Sequence, residues 1–352
     1  MGYFVTPDLN KKDPLILGIE TSCDETAAAV ICGRKILSDE IASSADIQSL
    51  YGGVVPEIAS RAHTEAIAEV VERAVKNAGV TPEQLDGIAV TYGAGLLGAL
   101  LVGVSFAKAY AYALKKPLIA VNHIRGHIAA AYLEAPELKP PFVTLLASGG
   151  HTAVLYSKSE SEFEILGATL DDAAGEAFDK VARVLGLKYP GGPNIQKCAE
   201  GGEANVPMPK MFKGGGGLNF SYSGLKTAVI NYCHTKEQKG EPYSKADVAA
   251  SFQRAAVDVL VDKTMQAVEM TGVDTVTAGG GVAANAYLRE RLSSACEKAG
   301  VTLVLPERRH CTDNAAMIAS EGLVQYRLGN FADLTLNAKA SIPLAAAIGG
   351  KQ

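Results

Sequence analysis

The chain has 352 residues, 48 % hydrophobic and 20 % charged, which argues against disorder and supplies enough apolar material for one large or two medium domains. A net charge of −5 argues against a broad basic face for nucleic acid, so any such role rests on local patches or on partners. Six cysteines stand without C-x-x-C spacing, which fits neither a zinc knuckle nor a disulfide scaffold and favours a reducing cytoplasm.

Residues 1–14 read as an extension with neither an apolar leader nor an Arg-rich transit pattern, although Gly2 and Thr6 fit the loose myristoylation pattern. Residues 15–31, LILGIETSCDETAAAVI, run apolar, small polar turn, apolar: a β-hairpin. Residues 85–114 read strand, Gly-rich turn, long helix. The apolar run around 94–114 is broken by Gly98, Gly103, Ser105 and Lys108, so no membrane span is expected. PLIAVNHIRGHIAAAYLE (117–134) is a strand entering a polar turn and a helix. Pro136, Pro140 and Pro141 then interrupt structure and mark a boundary.

The same three units recur in order as FVTLLASGGHTAVLY (142–156), DTVTAGGGVAANAYLRERLSSACEKA (274–299) and VTLVLPERRHCTDNAAMIASEGLV (301–324). Between the first and second lies a mainly helical insert, about 170–270, with the Gly-rich stretch KGGGGLNFSYSG (213–224) expected as an exposed loop. The expected architecture is therefore α/β and duplicated, with lobes 15–138 and 139–352 facing one another across a cleft.

His123 and His127 stand four apart where a helix begins, so both imidazoles leave one face, as a single first-row metal requires. Ile124 occupies the place where an H-E-x-x-H metalloprotease keeps its general base, which weakens a peptidase reading. In the matched turn of the second half, Asp313 offers a carboxylate; an N-cap is its ordinary use, and His310 is a rival one turn earlier.

Gly-rich turns suit an anionic ligand. Ser148, Gly149 and Gly150 form a hairpin tip whose amides can approach phosphate, and Gly279, Gly280 and Gly281 precede a helix start. Asn285, one turn into that helix, can bond a base edge or ribose. Asp171, Asp172, Glu176 and Asp179 line an acidic helix face that solvation explains, with Asp179 the exception able to hold a ribose hydroxyl pair. The YPGGPN turn can bring the Gly192 amide to the same ligand.

GIETSCDETAAAV, YGGVVPEIASRAH, GLLGALLVG, NHIRGH, SGGHT, DDAAGEAFDK, YPGGP, FSYSGLKTA, AGGGVAAN and CTDNAAMIA together resemble the bacterial branch of the TsaD family, the tRNA threonylcarbamoyladenosine transferases, over about Leu15–Leu336. The resemblance implies a duplicated actin-like (ASKHA) fold. It implies transfer of a threonylcarbamoyl group from threonylcarbamoyl-AMP to N6 of the adenosine at position 37 of tRNAs reading codons that start with A. His123, His127 and Asp313 become ligands of one iron(II) ion per subunit, with zinc the alternative. Leu146, Ala147, Ser148, Gly149, Gly150, Asp179, Gly192, Gln196 and Asn285 fall on adenylate-binding positions, and Glu25 on a position linked to activity.

Implied partners are a TsaB-like paralogue, a TsaE-like ATPase and a synthase for the adenylate. The chain departs from the family pattern in its N-terminal extension, in Arg125 between the histidines, and in a C-terminus whose last twelve residues carry only Lys351 as a base. The rival readings are a metal-dependent glycoprotein endopeptidase, the older label of the family, an actin-like small-molecule kinase, and a noncatalytic partner lobe.

Overall fold

The computed structural model describes residues 4–210 and 217–348. Gly2, the residues 213–216 of the Gly-rich stretch and Lys351 lie outside the described residues. The chain divides into two compact units. One contains the chain up to Leu138, Glu160–Glu162 and the chain from Asp313; the other contains Lys139–Ser159 and Phe163–Thr312.

The first unit holds a five-stranded sheet of β1 (Leu15–Glu20), β2 (Glu25–Cys32), β3 (Lys35–Ser43), β4 (Gly87–Gly93) and β5 (Leu118–Asn122), in the order β3-β2-β1-β4-β5. β1, β2 and β3 pair antiparallel, while β1–β4 and β4–β5 are parallel. The second unit repeats that plan with β6 (Phe142–Ala147), β7 (Thr152–Ser157), β8 (Phe163–Ala168), β9 (Thr275–Gly279) and β10 (Thr302–Val304), in the order β10-β9-β6-β7-β8. Again three strands meander antiparallel and two join in parallel. The duplication expected from the recurring sequence pattern is thus present strand for strand.

The inner strands β1, β4, β6 and β9 read as nearly continuous buried runs, whereas the edge strands β3, β8 and β10 are partly exposed. In the first unit, Leu17, Ile19, Val30, Ile88 and Val90 face a core shared with the helices Pro56–Asn77 and Leu97–Leu114. The latter is long and apolar enough to cross a membrane by length and composition; Ala99, Leu100, Gly103, Val104, Ala107 and Ala111 are the residues it buries. The opposite face of the sheet, with Ile16, Ile31, Ala89 and Ile119, packs against Met317, Ile318, Ala319, Leu323 and Tyr326 of the helix Ala315–Arg327.

That helix explains why the second lobe expected over 139–352 does not stay together. Residues 315–324 are all buried, and small ones (Ala315, Ala316, Ala319, Gly322) let the helix lie close to β1 and β2. Gly18 on β1 makes the closest approach: an added Cβ would stand 2.3 Å from the Ala315 carbonyl oxygen and 2.6 Å from the Ala319 nitrogen. Only glycine fits there. In the second unit, the helices Ala174–Val184, Gly191–Ala199, Ser223–Lys239 and Lys245–Thr271 lie between β8 and β9, where the helical insert was expected.

Candidate metal centre

Three parallel strands of the first unit, β1, β4 and β5, end side by side, the usual place for a working site in an open α/β sheet. At the end of β5, the Asn122 side chain accepts a hydrogen bond from the Ile124 amide at 2.9 Å and starts the helix His123–Ala129. His123 and His127 therefore occupy one face, their rings 4.7 Å apart and nearly perpendicular at 81°. Asp313 arrives from the far end of the sequence, immediately before the Ala315–Arg327 helix.

Asp313 is not the cap of that helix: Asn314 is, accepting from the Met317 amide at 2.9 Å. The Asp313 carboxylate instead faces the histidines, with Oδ1 at 3.3 Å from His123 Nε2 and 3.4 Å from His127 Nε2. The expectation that Asp313 reaches the pair from the opposite lobe is corrected, since all three residues belong to one unit. His310, the rival, belongs to the other unit and is not in the cluster.

Two contacts hold the ligand-bearing helices together. Ser320 Oγ donates to the Ala129 carbonyl at 2.8 Å, and Arg125 Nε donates to Glu321 Oε1 at 2.6 Å. Arg125 also donates to the Ser161 carbonyl, so the residue between the two histidines is a partly buried structural cation. Gly126 leaves space for this packing, since a Cβ there would lie 2.8 Å from Ile318 Cδ1.

The donor set fits a cation. One atom each of His123, His127 and Asp313 lie within 4.8 Å of one another, and the group could hold a metal ion. Donors bound at about 2.1 Å to one ion stand roughly 3 Å apart, as the Asp313–histidine distances require. Both ring nitrogens of His127 are buried without a hydrogen bond among the described residues, which is costly unless something else satisfies them. Burial pulls His127 below the ordinary imidazole value. Burial opposes charge on His123 as well, yet Asp313 and Glu20 hold that imidazolium well above its usual range. Asp313, despite its own burial, is held far below the carboxylate range by His123 and then His127.

Sequence reasoning passed over two residues around this cluster. Glu20, at the end of β1, is fully buried and lies 3.1 Å from His123 Nδ1. His63 is equally buried: its Nδ1 is 2.7 Å from Thr26 Oγ1 and its Nε2 3.0 Å from the Cys23 carbonyl. Because a carbonyl only accepts, Nε2 carries the proton and Nδ1 accepts from Thr26, and the imidazole pins the β1–β2 turn. The available signal for Glu20 was a carboxylate closing an otherwise apolar strand. Glu25, on the far side of that turn, is pushed up to about 9 by burial and then by neighbouring Asp24.

The remaining expected residues belong to the second unit. Leu146 and Ala147 end β6 in the core, and Ser148 closes the hairpin tip, its N–H donating to the His151 carbonyl at 2.8 Å. Gly149 and Gly150 are exposed, with open space where a Cβ would stand. Gly280, at φ +91°, approaches the same tip so closely that a Cβ would lie 2.4 Å from the Ala147 carbonyl oxygen. Asp179 Oδ1 accepts from the Gly191 amide at 2.7 Å, beside Gly192. Gln196 Oε1 accepts from the Ala286 amide at 2.7 Å.

Asn285 departs from expectation. It caps the helix Ala286–Ala299, Oδ1 accepting from Leu288 at 3.0 Å and Nδ2 donating to Gln253 at 2.9 Å, rather than sitting one turn inside.

Fold and cluster together define a class: a duplicated actin-like protein with a His–His–Asp group at the ends of its first parallel strands. Solved structures agree on the fold. Full-length HypF superposes with a TM-score of 0.60 at 16 % identity, over 93 % of this chain and 48 % of that one. Component A of (R)-2-hydroxyglutaryl-CoA dehydratase from Acidaminococcus fermentans gives 0.51 at 15 % identity, over 90 % and 98 %.

The family is narrower than the fold. The profile of TsaD, tRNA N6-adenosine threonylcarbamoyltransferase, matches residues 35–320. A tRNA N6-adenosine threonylcarbamoyltransferase of Clostridium novyi is 54 % identical over 95 % of this chain and 98 % of its own length. One from Clostridium perfringens is 52 % identical over 96 % and 99 %. The chain belongs to this family and is a transferase.

Proposed function

We propose that the chain transfers the threonylcarbamoyl group of threonylcarbamoyl-AMP to N6 of adenosine 37 in tRNAs reading codons that start with A, releasing AMP. The observation that carries this reading is the His123–His127–Asp313 cluster, intact in a chain 54 % identical to a transferase of that name. His123, His127 and Asp313 would hold iron(II), with zinc the alternative. When bound, such an ion supplies a Lewis acid for the carbamoyl-phosphate end of the donor.

The protein's own groups do the positioning. The hairpin tip Ser148, Gly149 and Gly150, after Leu146 and Ala147, would take the adenylate phosphate, the exposed glycines Gly149 and Gly150 leaving it room to approach; Asp179, Gly192, Gln196 and Asn285 would hold its nucleoside part. Glu25, whose carboxyl burial and neighbouring Asp24 push above the ordinary carboxylate value, would join the catalytic set. The mixed anhydride is already activated, so holding donor and amine in register is the larger part of the task. With a net charge of −5, tRNA binding would depend on a TsaB-like paralogue and a TsaE-like ATPase, in the cytoplasm.

The test is to incubate the chain with threonylcarbamoyl-AMP and unmodified tRNA, with and without those partners, and to look for the modified nucleoside by mass spectrometry. Metal content is measured on wild type and on Asp313→Ala. The expected result is modification by wild type with one metal per chain, both lost in Asp313→Ala. No modified nucleoside under any partner combination, or an Asp313→Ala chain retaining metal and activity, refutes the assignment.

A further inference from the structure

A carboxylate with no exposed surface needs compensation for leaving water, and Glu20 shows where its compensation goes. Oε1 accepts from the Ser22 amide, and Oε2 accepts from Thr91 Oγ1 at 2.6 Å and faces His123 Nδ1 at 3.1 Å. Thr91 is on β4 and His123 follows β5, so one side chain from β1 bridges all three parallel strand ends. Ser22 Oγ stands near the same nitrogen, at 3.2 Å, but the carboxylate is the charged acceptor.

We propose that Glu20 is a positioning residue of the metal centre. It accepts the His123 Nδ1 proton, fixes ring and tautomer, and so turns the Nε2 lone pair toward Asp313 and the cation. Thr91 holds the Glu20 oxygen in place. His127 lacks such a partner among the described residues, since its Nδ1 makes no hydrogen bond, so orientation of the pair falls on His123. Carboxylates behind metal-binding histidines typically change metal affinity 10–100-fold, roughly, when removed.

This inference rests on reading the cluster as a metal centre, and the experiment separates the two. The full-length chain is stripped of metal and titrated with Co2+, whose visible absorption reports both affinity and coordination, for wild type, Glu20→Gln, Thr91→Val and His123→Ala. Circular dichroism and melting follow the fold. Expected are one Co2+ per wild-type chain, a Kd weakened about 10–100-fold with altered bands in Glu20→Gln, and a smaller shift of the same kind in Thr91→Val. A folded Glu20→Gln chain with wild-type Kd and bands overturns the proposal alone. Should Glu20→Gln fail to fold, unchanged Kd and bands in Thr91→Val overturn it instead. Wild type that binds no Co2+ removes the metal centre, and with it both readings.

Discussion

Gly18→Ala links the fold to the candidate site through a single methyl group. The new Cβ would stand 2.3 Å from the Ala315 carbonyl oxygen, where ordinary contacts begin at 3.4 Å. The opposing atoms are backbone, so no side chain can rotate away; the helix Ala315–Arg327 must move by about 1 Å from β1. Overpacking of this kind costs about 1–3 kcal/mol. Asp313 lies two residues before Ala315, so the same movement carries its carboxylate away from His123 and His127.

Functional side chains tolerate displacements of about 0.5 Å, so metal affinity should fall at least about tenfold even where the chain stays folded. The assay is Co2+ titration with urea unfolding of the first unit's signal, on Gly18→Ala and on Gly201→Ala, where a Cβ meets nothing within 4 Å. Gly201→Ala should match wild type in both. A Gly18→Ala chain with wild-type affinity and stability would refute the account of how the helix is seated.

Other perturbations read different parts of the structure. Asn285→Ala removes a helix cap and a bond to Gln253, and should cost about 1 kcal/mol in stability while weakening binding of an adenylate analogue measured by calorimetry. Arg125→Met strands the buried Glu321 carboxylate and should destabilise by about 3 kcal/mol, whereas Arg125→Met with Glu321→Leu should recover most of that in a denaturation cycle. Asp171 tests acid stability: burial opposes its charge, but Ser221, Ser223 and the Tyr222 amide hold it below the usual carboxylate range. Its contribution is complete above the ordinary carboxylate value and disappears as pH falls through the lowered folded value, so Asp171→Asn should flatten the wild-type loss of stability below about pH 4.

How much of this was legible depended on the range of the interaction. The duplication was readable because each strand–turn–helix unit is encoded locally, by apolar period and Gly-rich turns, and each recurred in order. The His123–His127 pair was readable for the same reason: four residues are one helical turn. Asp313 was nominated by matching turns, but the matching said nothing of the unit it packs in. Asn285 was legible as an amide near the start of a helix, but its place as the cap of that helix and its bond to Gln253 were decided by packing.

The sequence by itself determined the class of fold, the family and the pair of histidines, because those follow from local periodicity and from motifs in order. Tertiary structure alone decided that the chain from Asp313 crosses back to the first unit, and that Glu20 lies behind His123. Arg125 likewise took its place as the ion partner of buried Glu321 only in the folded chain. The physical reason is common to all three. Each depends on which surfaces meet across more than a hundred residues of chain or across adjacent strands, and small residues such as Gly18 permit that meeting without announcing it.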